Sequence, residues 1–124
     1  MEFKIDTNPT YIQITPVFNS LNANLSGSLR EKWTELTQSG SQNFIIDLSN
    51  CTTADKDGLE QLVELHAECY SNGQSLVFTG VQGGVLQLMK DTEIDMAINI
   101  APTQVEAVDI ISMEILERDL FNEE

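Results

Sequence analysis

Asp55-Lys56-Asp57-Gly58, followed by Glu64, is the stretch whose residue types and spacing come closest to a chemical site. With Gly58 at position six of a calcium loop, Asp55, Asp57 and Glu64 take positions three, five and twelve. Position one is then Thr53 rather than an acid, and position eight is Glu60 where an apolar residue belongs. The preceding segment also reads as a strand, not a helix, so no metal set is assigned. His66, the only histidine, falls on an apolar helical stripe with no nucleophile in evidence, and reads as a half-buried packing residue. The hydroxyls of Ser49, Thr52 and Thr53 sit in a polar turn, where such groups usually bond the local backbone. Gly80-x-x-Gly83-Gly84 lacks both the Lys-Ser/Thr of a P-loop and the GxGxxG spacing. No catalytic residue and no cofactor follow from these groups, and the chain is expected not to be an enzyme.

Bulk properties narrow the partners. A chain of 124 residues allows one domain, taken as 1–124, and a 41% hydrophobic share supplies its core. Six Lys+Arg against twenty Asp+Glu leave a net charge of −14. Such a field repels phosphate backbones and anionic headgroups, so neither nucleic acid nor membrane insertion is expected. A basic protein partner, or solubility alone, suits the charge. Cys51 in a polar turn and Cys69 on a helical stripe read as reduced thiols in a cytoplasmic protein. The N-terminus has no apolar h-region, and no run reaches the roughly 18 apolar residues of a membrane span.

The elements that would position these groups alternate along the chain. Phe3–Asp6 and Tyr11–Thr15 have the period-2 pattern of strands, joined at Asn8-Pro9 into a hairpin that Pro16 ends. Asn19–Asn24 reads as an irregular lead into a helix carrying Leu25, Leu29, Trp33 and Leu36 on one stripe and stopping at Gly40. Phe44–Leu48 and Ser75–Thr79 are apolar enough for central strands covered on both faces. Between them, after the loop Ser49–Lys56, Leu59, Leu62, Val63, Leu65, His66, Cys69 and Tyr70 mark a helix closed by Asn72-Gly73. Val85–Met89 suggests a short helix and Met96–Ile100 a last strand. Thr103 with Glu106 forms a capping box for a C-terminal helix reaching about Leu120. That helix has a stripe of Val105, Val108, Ile111 and Ile115, widened by Ile110, Met113, Leu116 and Leu120. So wide an arc is either buried in the domain or docked on another chain, a second copy included. Trp33 and Met89 read as core. The order ββαβαβαβα implies an α/β fold with a mixed central sheet and helices packed on it.

This order, together with the run FIIDLSNCTTADKDGLEQL at 44–62, resembles the STAS domain of anti-sigma-factor antagonists and sulfate transporters. Asp47-Leu48-Ser49 matches the family's Asp-x-Ser turn after a buried strand. Asp55, Gly58 and Leu59 match its Asp-Ser-Ser-Gly-Leu-like helix start. Gly73–Val81 resembles its helix-end glycine, strand and Gly-Val turn, and Ile98–Ala107 its last strand and helix start. Lys56 and Asp57 stand where the family motif has its two serines, the second being the phosphoacceptor of switching members, and Pro16 where many members have Gly.

The resemblance implies a non-enzymatic protein-binding regulatory module, an anti-sigma-factor antagonist of a partner-switching system in transcription regulation, with Asp57 replacing the phosphoacceptor serine. Asp57 is expected to be the N-cap of its helix, and either that alone or also a permanent, partly phosphorylated-like charge. The implied partner is an anti-sigma factor or kinase-like protein. It would meet Ser49, Thr53, Asp55, Lys56, Asp57, Gly58, Glu60 and Glu64, with Glu68 at the edge. The alternative is a structural STAS subunit of a larger assembly, such as a membrane transporter complex.

Overall fold

The computed structural model describes residues 2–121. The N-terminal hairpin forms as β1 (Phe3–Thr7) and β2 (Ile12–Pro16), antiparallel, its turn closed by the Asn8 amide donating to the Tyr11 carbonyl at 2.9 Å. A two-residue β3 (Ser20–Leu21) leads into helix α1 (Ala23–Gln38). Asn22 caps that helix by accepting from the Leu25 amide at 3.0 Å, so the helix begins at Ala23, two residues before the expected start at Leu25. Gly40 follows with φ 103°, a left-handed turn that a side chain would resist.

Next come β4 (Asn43–Asp47), β5 (Thr53–Ala54), α2 (Lys56–Ser71), β6 (Ser75–Thr79) and α3 (Gly83–Asp91). A 3-10 turn (Ile94–Met96), β7 (Ile100–Ala101) and α4 (Gln104–Phe121) complete the described residues. The main sheet runs β1-β2-β4-β6-β7, antiparallel only at the hairpin and parallel elsewhere. β3 and β5 pair parallel as a separate small ladder, so the segments read as an irregular lead and a polar loop in fact hold each other.

Alternation along β4 and β6 divides the core. Phe44, Ile46, Leu76 and Phe78 face α1, α2 and α3, against Leu29, Trp33, Leu62, Leu65, Cys69 and Met89. Ile45 and Val77 point the other way, onto Ala107 and Ile111 of α4. Covering both faces is what a parallel sheet requires, and it is why these strands read as continuous apolar runs.

The last strand differs from the expected Met96–Ile100. Met96 lies in the 3-10 turn and is 84% exposed, and only Ile100 and Ala101 join the ladder. Glu93 has a left-handed φ of 59°, which re-aims the chain before the strand can begin. The Asn99 amide donates to His66 Nε2 at 3.1 Å rather than to a strand.

Candidate functional site

Three loops meet at the C-terminal ends of β2, β4 and β6. At the end of β4 the Asp47 carboxylate accepts from the Ser49 amide at 2.9 Å, which tightens the turn. Gly80, at φ 68°, lies against that turn. A Cβ there would meet the Asp47 carboxylate and come within 3.1 Å of the Ser49 nitrogen. Gln82 then donates to the Ser49 carbonyl at 2.7 Å.

The stretch after β4 is stitched to residues 16–21. Asn50 donates to the Pro16 carbonyl at 3.1 Å, and the Thr52 amide to the Asn19 carbonyl at 2.9 Å. The Asp55 amide donates to the Leu21 carbonyl at 3.1 Å. Thr52 and Thr53 hydroxyls lie 3.4 Å from the Asn19 carbonyl, and Thr53 is also 3.1 Å from the Ser20 hydroxyl. The sequence predicts that these threonines bond the local backbone, whereas the carbonyl they meet belongs to the distant β2–β3 connection. Ser49 is exposed at the crest of the loop.

The N-cap of α2 is Asp55, not Asp57. Asp55 has the extended backbone a cap needs (φ −119°, ψ 167°), and its carboxylate accepts from the Gly58 amide at 2.8 Å. Asp57 is already inside the first helical turn, so its carboxylate projects from the helix instead of folding back on it. It is exposed, and an acid at this end of a helix is favoured by the macrodipole. Glu60 and Glu64 follow at helical spacing on the same exposed side, with Lys56 paired to Glu60 at 3.7 Å. Glu68 lies further along the helix, where it is ion-paired with Arg30 of α1.

Gly58 is buried, and what it contributes is closeness. A Cβ there would collide with the Leu21 carbonyl oxygen and lie 2.8 Å from the Asn22 Cα. Ser26 of α1 donates its hydroxyl to the Gly58 carbonyl at 2.7 Å. The glycine thus lets α2 begin directly against the β3–α1 junction, and this sets the position of Asp57.

Val17 and Phe18 belong to the same surface but were not singled out from the sequence. Val17 is 52% exposed and Phe18 37%, on the loop that Asn50 and the Cys51 thiol bond. Their signal was an apolar pair between a strand-ending proline and an Asn/Ser run. They add two exposed apolar side chains to the loop that is held against residues 50 and 51.

Other groups are occupied elsewhere. His66 Nε2 accepts a backbone bond, and burial holds the imidazole below its ordinary value against the opposing pull of Glu114. Both cysteines are buried and free; burial and nearby Asp47 raise the Cys51 thiol, and burial pushes Cys69 up to about 12. Among the described residues no group of three or more His, Cys, Asp or Glu could hold a metal ion, and no helix is long and apolar enough to cross a membrane.

The fold is shared with known structures. A Thermotoga maritima protein assigned as an anti-sigma factor antagonist is similar at 18% identity, over 89% of this chain and 94% of that one, with a TM-score of 0.78. The anti-sigma factor antagonist SpoIIAA of Bacillus, in its unphosphorylated form, is similar at 15% identity, over 90% and 96% of the chains, with a TM-score of 0.69. A sulfate transporter family protein from Wolinella succinogenes is similar at 11% identity, over 89% and 91%, with a TM-score of 0.71. No curated protein matches the sequence. The STAS domain profile matches residues 5–107, which takes in all of the sheet but the start of β1, the Asp47 turn and the Asp55–Leu59 helix start. With that span matched and the fold shared, the chain belongs to the STAS domain family.

Proposed function

We propose that the chain is a non-enzymatic, cytoplasmic protein-binding module of the anti-sigma-factor-antagonist type, with Asp57 standing in place of a phosphoacceptor serine. The observation that carries this reading is the exposed Asp57 in the first turn of α2, at a surface made firm by the Asp55 cap and the bonds to residues 16–21. SpoIIAA has been solved both unphosphorylated and phosphorylated, so the likeness is to a protein that takes both forms. Asp57 has no hydroxyl to accept a phosphate. Its charge of about −1, against −1.5 to −2 for a phosphoserine, makes the surface permanently part-way to the modified state.

In this reading the partner is an anti-sigma factor or related kinase-like protein. It would contact Ser49, Thr53, Asp55, Lys56, Asp57, Glu60 and Glu64, and Val17 and Phe18 would provide apolar anchorage. Gly58 would act only by setting the helix position. A complementary basic face on the partner would speed encounter with a chain of net charge −14. The non-enzymatic part is supported by His66, whose Nε2 lone pair is already taken by the Asn99 amide.

The test is calorimetric titration of an anti-sigma factor from the same genome with the parent, Asp57→Ala and Asp57→Ser proteins. Both substitutions should change affinity, and Asp57→Ser should become a phosphoacceptor when kinase and ATP are supplied. Unchanged affinity in both would remove Asp57 from the contact. A structural subunit role is favoured by the missing hydroxyl and by the likeness to the Wolinella protein. Stable co-purification with a transporter component, without a soluble kinase, would establish that role instead.

A further inference from the structure

Helix α4 has two apolar faces. Ala107 and Ile111 turn inward and are fully buried against Ile45 and Val77, with Val108 and Ile115 beside them. Val105, Met113, Leu116 and Leu120 lie on the opposite side at spacings of eight, three and four residues, each between 61% and 70% exposed. Single exposed leucines mean little, but four apolar side chains in line along one helix make a stripe of the width a second helix covers.

The borders of the stripe are acidic. Glu106 and Glu117 flank one side and Asp119 the other, and Asp109 interrupts the seam itself. The single basic residue of α4, Arg118, is committed inward: it donates to the Gly73 carbonyl at 2.9 Å, to the Ser75 hydroxyl at 3.0 Å and to Asn43. From these observations we infer that the outer face of α4 is a docking seam for a basic amphipathic helix of another protein, with a Lys or Arg opposite Asp109.

Charge selects this occupant. A second copy paired parallel and in register sets Asp109 against Asp109, and antiparallel pairing about Met113 sets it against Glu117. Either arrangement desolvates like charges between two chains of net charge −14. An anionic bilayer meets the same repulsion. A basic helix instead matches every border and gives the lone seam acid a counterion. The seam lies on the sheet face away from α2, so it is independent of the Asp57 surface.

The test uses the full chain and a labelled synthetic helix matched in length to α4, with a leucine seam, Lys/Arg borders and one Arg in the seam. Anisotropy should show saturable binding, and amide shift changes should map to residues 105–120. Leu116→Gln or Leu120→Gln, whose exposure leaves folding intact by circular dichroism, should weaken binding by about tenfold, the scale of one buried leucine. Asp109→Asn should weaken binding of this peptide but not of one with leucine at the matching position, and Glu31→Gln on α1 should change nothing. Equal binding of a scrambled peptide of the same charge would overturn the inference, as would shift changes mapping elsewhere. So would a dimer in sedimentation that Leu116→Gln dissolves, or flotation of the parent with phosphatidylglycerol vesicles. None of these readouts involves Asp57, so the inference and the proposed function can fail separately.

Discussion

The Tyr70 hydroxyl of α2 donates to the Glu114 carboxylate of α4 at 2.7 Å, joining helices that pack on opposite faces of the sheet. The meeting happens at an open edge. β7 pairs with β6 only at Phe78 and Thr79, which leaves Leu76 without a ladder partner on that side. The Leu76 amide donates to the Tyr70 oxygen at 3.3 Å, and Asn99 donates to the same oxygen at 2.6 Å. Side chains thus do at the edge what a longer strand would do with backbone.

Tyr70→Phe should therefore cost about 1–3 kcal/mol in urea unfolding, because buried partners lose their bond while the ring still packs. Glu114→Gln, which keeps an acceptor, should cost less. A double-mutant cycle of Tyr70→Phe with Glu114→Ala should return a coupling of roughly 0.5–3 kcal/mol, and a coupling of zero would show that the pair does not join the helices.

Two glycines should respond with opposite sign to the same substitution. Gly58→Ala forces a methyl into the Leu21–Asn22 backbone and should destabilise by about 1–3 kcal/mol or prevent folding. Gly27→Ala, in the interior of α1 with open space around it, should stabilise by about 0.5–1 kcal/mol. Thermal melts of both variants decide the matter.

The two acids at the start of α2 should separate by readout. Asp55→Ala removes the cap and should lower stability by about 1 kcal/mol. Asp57→Ala should change stability by less and partner affinity by more. If Asp57→Ala were the more destabilising of the two, the cap assignment would be wrong.

His66 predicts a pH dependence. Its folded value is depressed below 6.5, mainly by burial, so below pH 6.5 the unfolded chain binds a proton that the native one resists. Its contribution is fully present above pH 6.5 and is lost as pH falls toward the folded value. Denaturant midpoints of the parent should therefore fall on acidification in that range, and His66→Gln should lack this part of the slope. Parallel profiles for the two proteins would refute it.

Much of the architecture was legible because its signals are local. The continuous apolar runs at Phe44–Leu48 and Ser75–Thr79 marked buried strands, and Gly40 and Gly73 marked helix ends that the left-handed φ values explain. The Asp-x-Ser turn and the Asp55–Leu59 start carried the family resemblance. The β3–β5 ladder was not legible, since two-residue strands have no period to read. Met96–Ile100 has the composition of a strand, yet Asn99 within it gives its backbone amide to His66 and its side chain to Tyr70, and only Ile100 of the five pairs with β6.

The candidate site divides in the same way. Residue types alone made the chain strongly acidic and put a carboxylate rather than a hydroxyl at position 57, since identity and charge do not depend on folding. Only tertiary structure decided that Asp55 caps while Asp57 projects, that Gly58 is a point of contact with α1, and that Val17 and Phe18 share the surface. The cap is a local bond over three residues, but the last two depend on which atoms from distant parts of the chain come within a few ångströms, and no spacing along the chain records that distance.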